Sequence, residues 1–223
     1  MRRVFLPAIF GLAGAAVLLS LGFWQLQRLE WKQALLAEMT ARAAAAPTAV
    51  PEAPDPERDR FRPVRVRGRF TGAELHVLTS MRGAGPGFRH VAAFVTSDGR
   101  RIMIDRGFAP ASADVAPAQG EAEVIGNLDW PRESDFFTPE PDIEQGLFFA
   151  RDVTAMAEFL GTEPLLVVAR RAEPADPRLT PMPVDPSAIP NDHLGYAITW
   201  FLLAAVWLGM TGLWLWRIRR REG

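Results

Sequence analysis

Residues 4–27 read VFLPAIFGLAGAAVLLSLGFWQLQ, and residues 194–216 read LGYAITWFLLAAVWLGMTGLWLW. Neither run carries a charged side chain. Each exceeds the ~20 apolar residues that take a helix across a ~30 Å hydrocarbon core at ~1.5 Å per residue. A helix satisfies its own backbone hydrogen bonds, so two such runs predict a pair of transmembrane helices. Arg2 and Arg3 precede the first, and Arg217, Arg219, Arg220 and Arg221 follow the second. Basic flanks of this kind place both termini in the cytoplasm and the segment between them on the outer face. That segment, residues 28–193, holds 19 basic and 25 acidic residues. In so long a loop this count weighs little, and the tails decide.

A cleaved signal peptide is the competing reading of the first run. The run is longer than an h-region of about 7–15 residues, and a charged, amphipathic stretch follows at once. The alanines 43–46, which resemble a cleavage site, lie far beyond it. Residues 1–3 leave no room for a mitochondrial presequence, so the expected location is a bacterial inner membrane with the central domain in the periplasm.

Composition narrows the classes further. Lys+Arg number 25 against Asp+Glu 26, so bulk charge points to no nucleic-acid partner. The absence of cysteine excludes disulfides, iron–sulfur clusters and thiolate zinc sites. An outer domain must then be held together by its core.

Working outward, the first helix is expected to continue past the membrane surface through Arg28, Trp31, Lys32 and Leu35 to about Arg42. Trp24 and Trp31 suit an interfacial belt, with Arg28 and Lys32 snorkelling between them. Four prolines from Pro47 to Pro56 cannot continue a helix, and six more from Pro174 to Pro190 lead into the second span. The expected organisation is a first helix and its extension over 1–46 and a linker over 47–56. An outer domain over 57–173, a second linker over 174–192, and a second helix with its basic tail over 193–223 complete it.

Within the outer domain the dominant period is two. Across residues 61–70, Val64, Val66 and Phe70 alternate with Arg65, Arg67 and Arg69, which predicts a strand with one face in a core. Strand-like runs follow at 74–79, 89–96, 101–106, 121–128 and 165–170, and Asp98-Gly99 suits a tight hairpin. One short helix is expected: Asp152 as N-cap, Val153, Met156, Ala157 and Leu160 on one face, Gly161 as terminator. The fold class is therefore a membrane helical hairpin with a mostly β (α+β) outer domain, either a small barrel or a curled sheet.

No enzyme signature is present: no P-loop, nucleophile elbow, HExxH or CxxC. Residues 83–87, GAGPG, read as a turn, because Pro86 and the strand-like residues after it offer no helix N-terminus to a phosphate. The arginine stripe reads as a solvated strand face. Asp105-Arg106-Gly107 reads as a strand-end ion pair followed by a turn glycine. The spacing of His76 and His90 suggests no metal pair.

His193 differs, standing at the outer end of the second span. On a helix it shares a face with Ala197 and Trp200, and Tyr196, the single tyrosine, lies one turn further in. A neutral imidazole there can ligate haem iron among apolar and aromatic side chains. It can equally cap the helix and wet its ring in the headgroups.

Three separated motifs now bear on identity. They are Gly22-Phe23-Trp24-Gln25-Leu26-Gln27-Arg28-Leu29-Glu30-Trp31-Lys32, Ile104-Asp105-Arg106-Gly107-Phe108-Ala109-Pro110, and His193-Leu194-Gly195-Tyr196-Ala197-Ile198-Thr199-Trp200. Through them the chain resembles the Surfeit locus protein 1 family of membrane proteins, which assist biogenesis of haem-copper cytochrome oxidase. It departs mildly at Phe108 (usually tryptophan), Asp192 (commonly asparagine) and Gly87-Phe88 (a Gly-Tyr pair).

The resemblance implies a non-enzymatic chaperone that binds or delivers haem a to the main oxidase subunit. It makes His193 the axial ligand of the haem iron. Combined with the reading of the residues themselves, this would set Trp200 or Trp24 against the macrocycle, with Tyr196 nearby and Arg28 meeting a propionate. The implied partners are the oxidase main subunit, a haem a synthase and the lipid bilayer. A haem-free scaffold that holds assembly partners together is the rival reading.

Overall fold

The computed structural model describes residues 2–185 and 191–222. Pro186 and Pro190 of the second proline-rich linker lie outside the described residues. In chain order the elements are α1 (Arg2–Ala44), β1 (Pro63–Met81), β2 (Gly85–Thr96), β3 (Arg101–Pro110) and β4 (Gln119–Asp129). They continue with β5 (Leu147–Phe148), α2 (Val153–Leu160), β6 (Leu166–Glu173) and α3 (His193–Glu222). The chain forms two compact units, residues 1–38 with 186–223 and residues 39–185.

In the first unit, α1 and α3 are both long and apolar enough to cross a membrane. They meet along a narrow seam. On α1 it comprises Gly11, Ala15, Leu18, Gly22 and Gln25; on α3 it comprises His193, Ala197, Trp200, Ala204, Trp207 and Thr211. These positions recur at alternating steps of four and three, the spacing that keeps one helix stripe facing its partner. Small residues bring the backbones together, and Trp207 Nε1 donates to the Gly11 carbonyl at 2.8 Å. A Cβ on Gly11 would collide with Thr211. Phe10 meets Trp207, and Phe23 meets Phe201, each with ring centroids 5.4 Å apart. Away from the seam, large apolar side chains such as Phe5, Leu6, Leu202 and Met210 are exposed.

The second unit is built on one six-stranded mixed sheet of order β2-β3-β6-β4-β1-β5, with a further β1–β2 pairing. Residues 63–71 of β1 pair with β4, while residues 68–70 and 74–81 pair with β2. The two pairings overlap only at residues 68–70. Of the two architectures the sequence allows, the domain is thus a strongly curled sheet and not a closed barrel.

The segments expected as separate strands over 61–70 and 74–79 are one strand. A bulge between Phe70 and Glu74 joins them: four steps along β1 there face two along β2, from Phe94 to Ala92, and the buried side of the strand passes from one face of the sheet to the other. Before the bulge Val64, Val66 and Phe70 join a core with Phe94, Ile102, Ile104, Val124, Leu128 and Val167. After it Leu75 and Val77 join a second core, with Met103, Phe148, Leu166 and the buried face of α2. Each fully buried Leu, Ile or Phe contributes about 1.5–3 kcal/mol, so two such clusters stabilise a cysteine-free domain without cross-links.

Local chemistry accounts for α2. Asp152 accepts from Thr154 N at 2.9 Å and Ala155 N at 3.1 Å, and Gly161 closes the helix in the left-handed conformation. Val153, Met156, Ala157 and Leu160 are its buried face. The outward arginines Arg65 and Arg67 pair with Glu123 on the neighbouring strand β4. At the end of α1, buried Asn127 donates to the Ala43 carbonyl at 2.9 Å, satisfying one of the orphan acceptors of a helix C-terminus.

Candidate functional site

At the head of α3, His193 is half-buried, and its Nδ1 donates to Gln25 Oε1 of α1 at 2.7 Å. Gln25 is itself 9% exposed, a polar residue on an otherwise apolar seam. In a neutral ring, a proton on Nδ1 leaves Nε2 with its lone pair. An imidazole whose second nitrogen is held by a carbonyl oxygen is the arrangement that metal-ligating histidines use to fix tautomer and ring orientation.

The other residues expected around His193 are differently placed. Ala197 is buried and Trp200 half-buried on the seam below it, whereas Tyr196 and Trp24 present more than half of their surface. The Arg28 guanidinium lies over the Trp31 ring, 4.3 Å from its centroid. Gln25 lies within the first of the three motifs, but the sequence alone assigns it no role. Its signal was its spacing, three residues after Gly22 in a run of steps of four and three.

The second concentration of chemistry is in the curled sheet, and it resolves Asp105-Arg106-Gly107. The triplet lies within β3 and is no simple strand-end pair. Asp105 is fully buried; its Oδ2 accepts from Arg89 Nε at 2.7 Å and its Oδ1 from Gly107 N at 3.0 Å. Arg106 reaches different partners, Glu74 Oε2 at 2.7 Å and Asp176 Oδ2 at 3.1 Å. The register of β2 against β3 shifts here, His90 facing Gly107 and Val91 facing Asp105, so Arg106 is the extra residue of a bulge. Gly107 has a positive φ of 114°, and a Cβ there would collide with the Thr180 carbonyl.

Glu74, just after the β1 bulge, gathers this network. Its Oε1 accepts from His90 Nδ1 at 2.7 Å and lies 3.8 Å from His76 Nε2. Its Oε2 accepts from Arg106 and, at 3.2 Å, from Ala118 N. Burial pushes the Glu74 carboxyl up, but the His90 hydrogen bond and the Arg106 charge outweigh it and hold it below the usual glutamate value. Burial, with His90 beside it, holds His76 below the usual histidine value against the opposing pull of Glu74. His76 and His90, unrelated by sequence spacing, are cross-strand partners with ring centroids 4.7 Å apart.

Comparison with known proteins gives one consistent result. The SURF1 family model matches residues 12–205. Surfeit locus protein 1 of Xenopus tropicalis is 32% identical over 87% of this chain and 70% of that protein. Its Homo sapiens counterpart is 31% identical over 83% of this chain and 69% of that protein. A SURF1-like protein of Rickettsia felis is 28% identical over 84% of this chain and 87% of that protein. With the match running from within α1 through the sheet domain and into α3, this chain belongs to the SURF1 family.

Proposed function

We propose that this protein is a bacterial inner-membrane assembly factor for a haem-copper cytochrome oxidase, which binds haem a as cargo and presents it to the main oxidase subunit. The observation that carries the reading is the His193–Gln25 pair, an imidazole hydrogen-bonded through Nδ1 at the end of an apolar helix. In this reading α1 and α3 span the bilayer, both termini are cytoplasmic and the sheet domain is periplasmic.

The donor set fits the cargo. His193 Nε2 would serve as the axial ligand, with Gln25 fixing the ring. Trp24, Tyr196 and Trp200 supply aromatic surface for the macrocycle, and Arg28 supplies a guanidinium for a propionate through charge-assisted hydrogen bonds. Haem a, when bound, brings the iron and the redox chemistry; the chain's residues hold, orient and release it. The farnesyl tail of the cargo prefers lipid and its propionates prefer the interface, which suits a site at the boundary between them.

The sheet domain would address the partner, the oxidase subunit or a haem a synthase. Phe136 and Phe137, 96% and 86% exposed at a turn braced by Asp135 and Thr138, have the character of preorganised aromatic anchors. The experiment is co-purification from cells that make haem a. A haem absorbance on the detergent-purified protein supports the reading. Colourless protein from such cells, with oxidase assembly intact, would favour a haem-free scaffold.

A further inference from the structure

We propose that Glu74, His76 and His90 form a binding site for a divalent transition-metal ion of the Zn²⁺ type, separate from His193. Two imidazoles and one carboxylate are a donor set that Zn²⁺ accepts, leaving a fourth position for water. One ligand atom from each of the three residues lies within 4.8 Å of the others. Ligand atoms around a tetrahedral ion at about 2.0–2.1 Å stand roughly 3.3 Å apart. The Glu74 Oε1 distances of 2.7 Å to His90 Nδ1 and 3.8 Å to His76 Nε2 bracket that value. Side-chain adjustment of ångström size therefore suffices.

How Glu74 is held argues further than proximity does. Both fixed donors, Arg106 Nη1 and Ala118 N, bind Oε2. Oε1 is left facing the two imidazoles. A ligating carboxylate is commonly oriented in this way, with outer hydrogen bonds on one oxygen and the ion on the other. The positive charge of Arg106 is shared with Asp176, at 3.1 Å.

Backbone irregularity converges on the same point. The β1 bulge ends at Glu74, and the β2–β3 register shift falls at His90 and Arg106. Bulges re-aim side chains and cluster at functional sites. Access comes through His76, whose side chain is 37% exposed, while those of Glu74 and His90 are 2% and 6% exposed. An ion would replace the proton that His90 Nδ1 shares with Glu74.

The chain's lack of cysteine and its complement of three histidines make the test clean. The full-length protein carrying His193→Ala, purified in detergent through a histidine-free tag and stripped with chelator, is titrated with Zn²⁺ against a chromophoric chelator. One saturable ion per chain, at micromolar affinity or tighter, is expected. His76→Ala should weaken it by about tenfold or more, since loss of even an outer partner costs about that much. At equal Zn²⁺ concentration the melting temperature of the parent should also rise further than that of the His76→Ala variant. Absence of saturable binding, or equal binding by the His76→Ala variant, would overturn the proposal and leave the cluster a hydrogen-bonded brace. Because His193 is absent from both proteins, neither outcome bears on haem.

Discussion

The helix pair and the sheet domain bury opposite kinds of residue. On the seam between α1 and α3 the most buried positions are small (Gly11, Ala15, Gly22, Ala197 and Ala204), and the large apolar side chains face outward. In the domain, Phe94, Phe108, Phe148 and Ile104 are fully enclosed. The domain also buries charge, but in partnered form: Asp105 with Arg89, Glu74 with Arg106 and His90. In the helix pair the corresponding polar features are hydrogen bonds, His193 to Gln25 and Trp207 to the Gly11 carbonyl. The lesson is about solvent. A domain in water is held by enclosing apolar bulk. Helices placed in lipid, as proposed for α1 and α3, would gain nothing from hiding it and would associate through close backbone approach and hydrogen bonds.

This contrast can be broken first in the domain. Asp105→Ala leaves the Arg89 guanidinium buried without its carboxylate, which should cost about 3–5 kcal/mol. The expected result is loss of the cooperative thermal transition and rapid proteolysis between residues 57 and 173, with the helix pair still folded in detergent by circular dichroism. Unchanged melting would mean that the buried network contributes little.

Next comes the seam. Gly11→Ile forces a branched side chain against Thr211 and should destabilise helix pairing by about 1–3 kcal/mol. Trp207, whose indole is held by the Gly11 carbonyl, offers the readout through its fluorescence in detergent. The sheet domain's transition should not move.

A finer change sharpens the polar contact. Gln25→Leu removes the acceptor of His193 Nδ1, a hydrogen bond worth about 0.5–1.5 kcal/mol. As Gln25 is a positioning residue, the informative readout is a shifted haem spectrum or reduction potential at unchanged helix content. An identical spectrum would show that Gln25 does not set the ring.

The smallest effect is electrostatic. The Arg58 hydrogen bond is the main cause that lowers Asp59 from 3.8 to about 2, helped by Asp55 N and Arg62. Its folded pKa is depressed, so its stabilisation is present above pH about 4 and is lost as pH falls toward about 2. Melting temperature should decline through that window, and Asp59→Asn should flatten the decline by a modest amount, because its arginine partners are well exposed.

Much of this architecture was legible in the sequence because it rests on local signals. The two apolar runs, the alternation at Val64 and Val66, and the Asp152 and Gly161 caps each declare themselves within a few residues. The continuity of β1 does not, because after the bulge beyond Phe70 the strand is buried on its other face, which shifts the apolar positions from even to odd and makes one strand read as two. The Glu74 cluster is hidden for the same reason, since it depends on a cross-strand register that two bulges set. A signal was present in Glu74-x-His76, one strand face carrying two ligand types, but its third member comes from β2. At His193 the sequence supplied the residue and its place on the helix. Its partner depended on which helix faces meet, and only packing decides that.

The central claim is that His193 holds haem. The most direct measurement is the visible spectrum of the detergent-purified protein from haem a-producing cells, beside its His193→Ala variant at equal protein and confirmed fold. A haem a absorbance is expected in the first, and its loss or a clear shift in the second. An unchanged spectrum at full occupancy in the His193→Ala variant would contradict it.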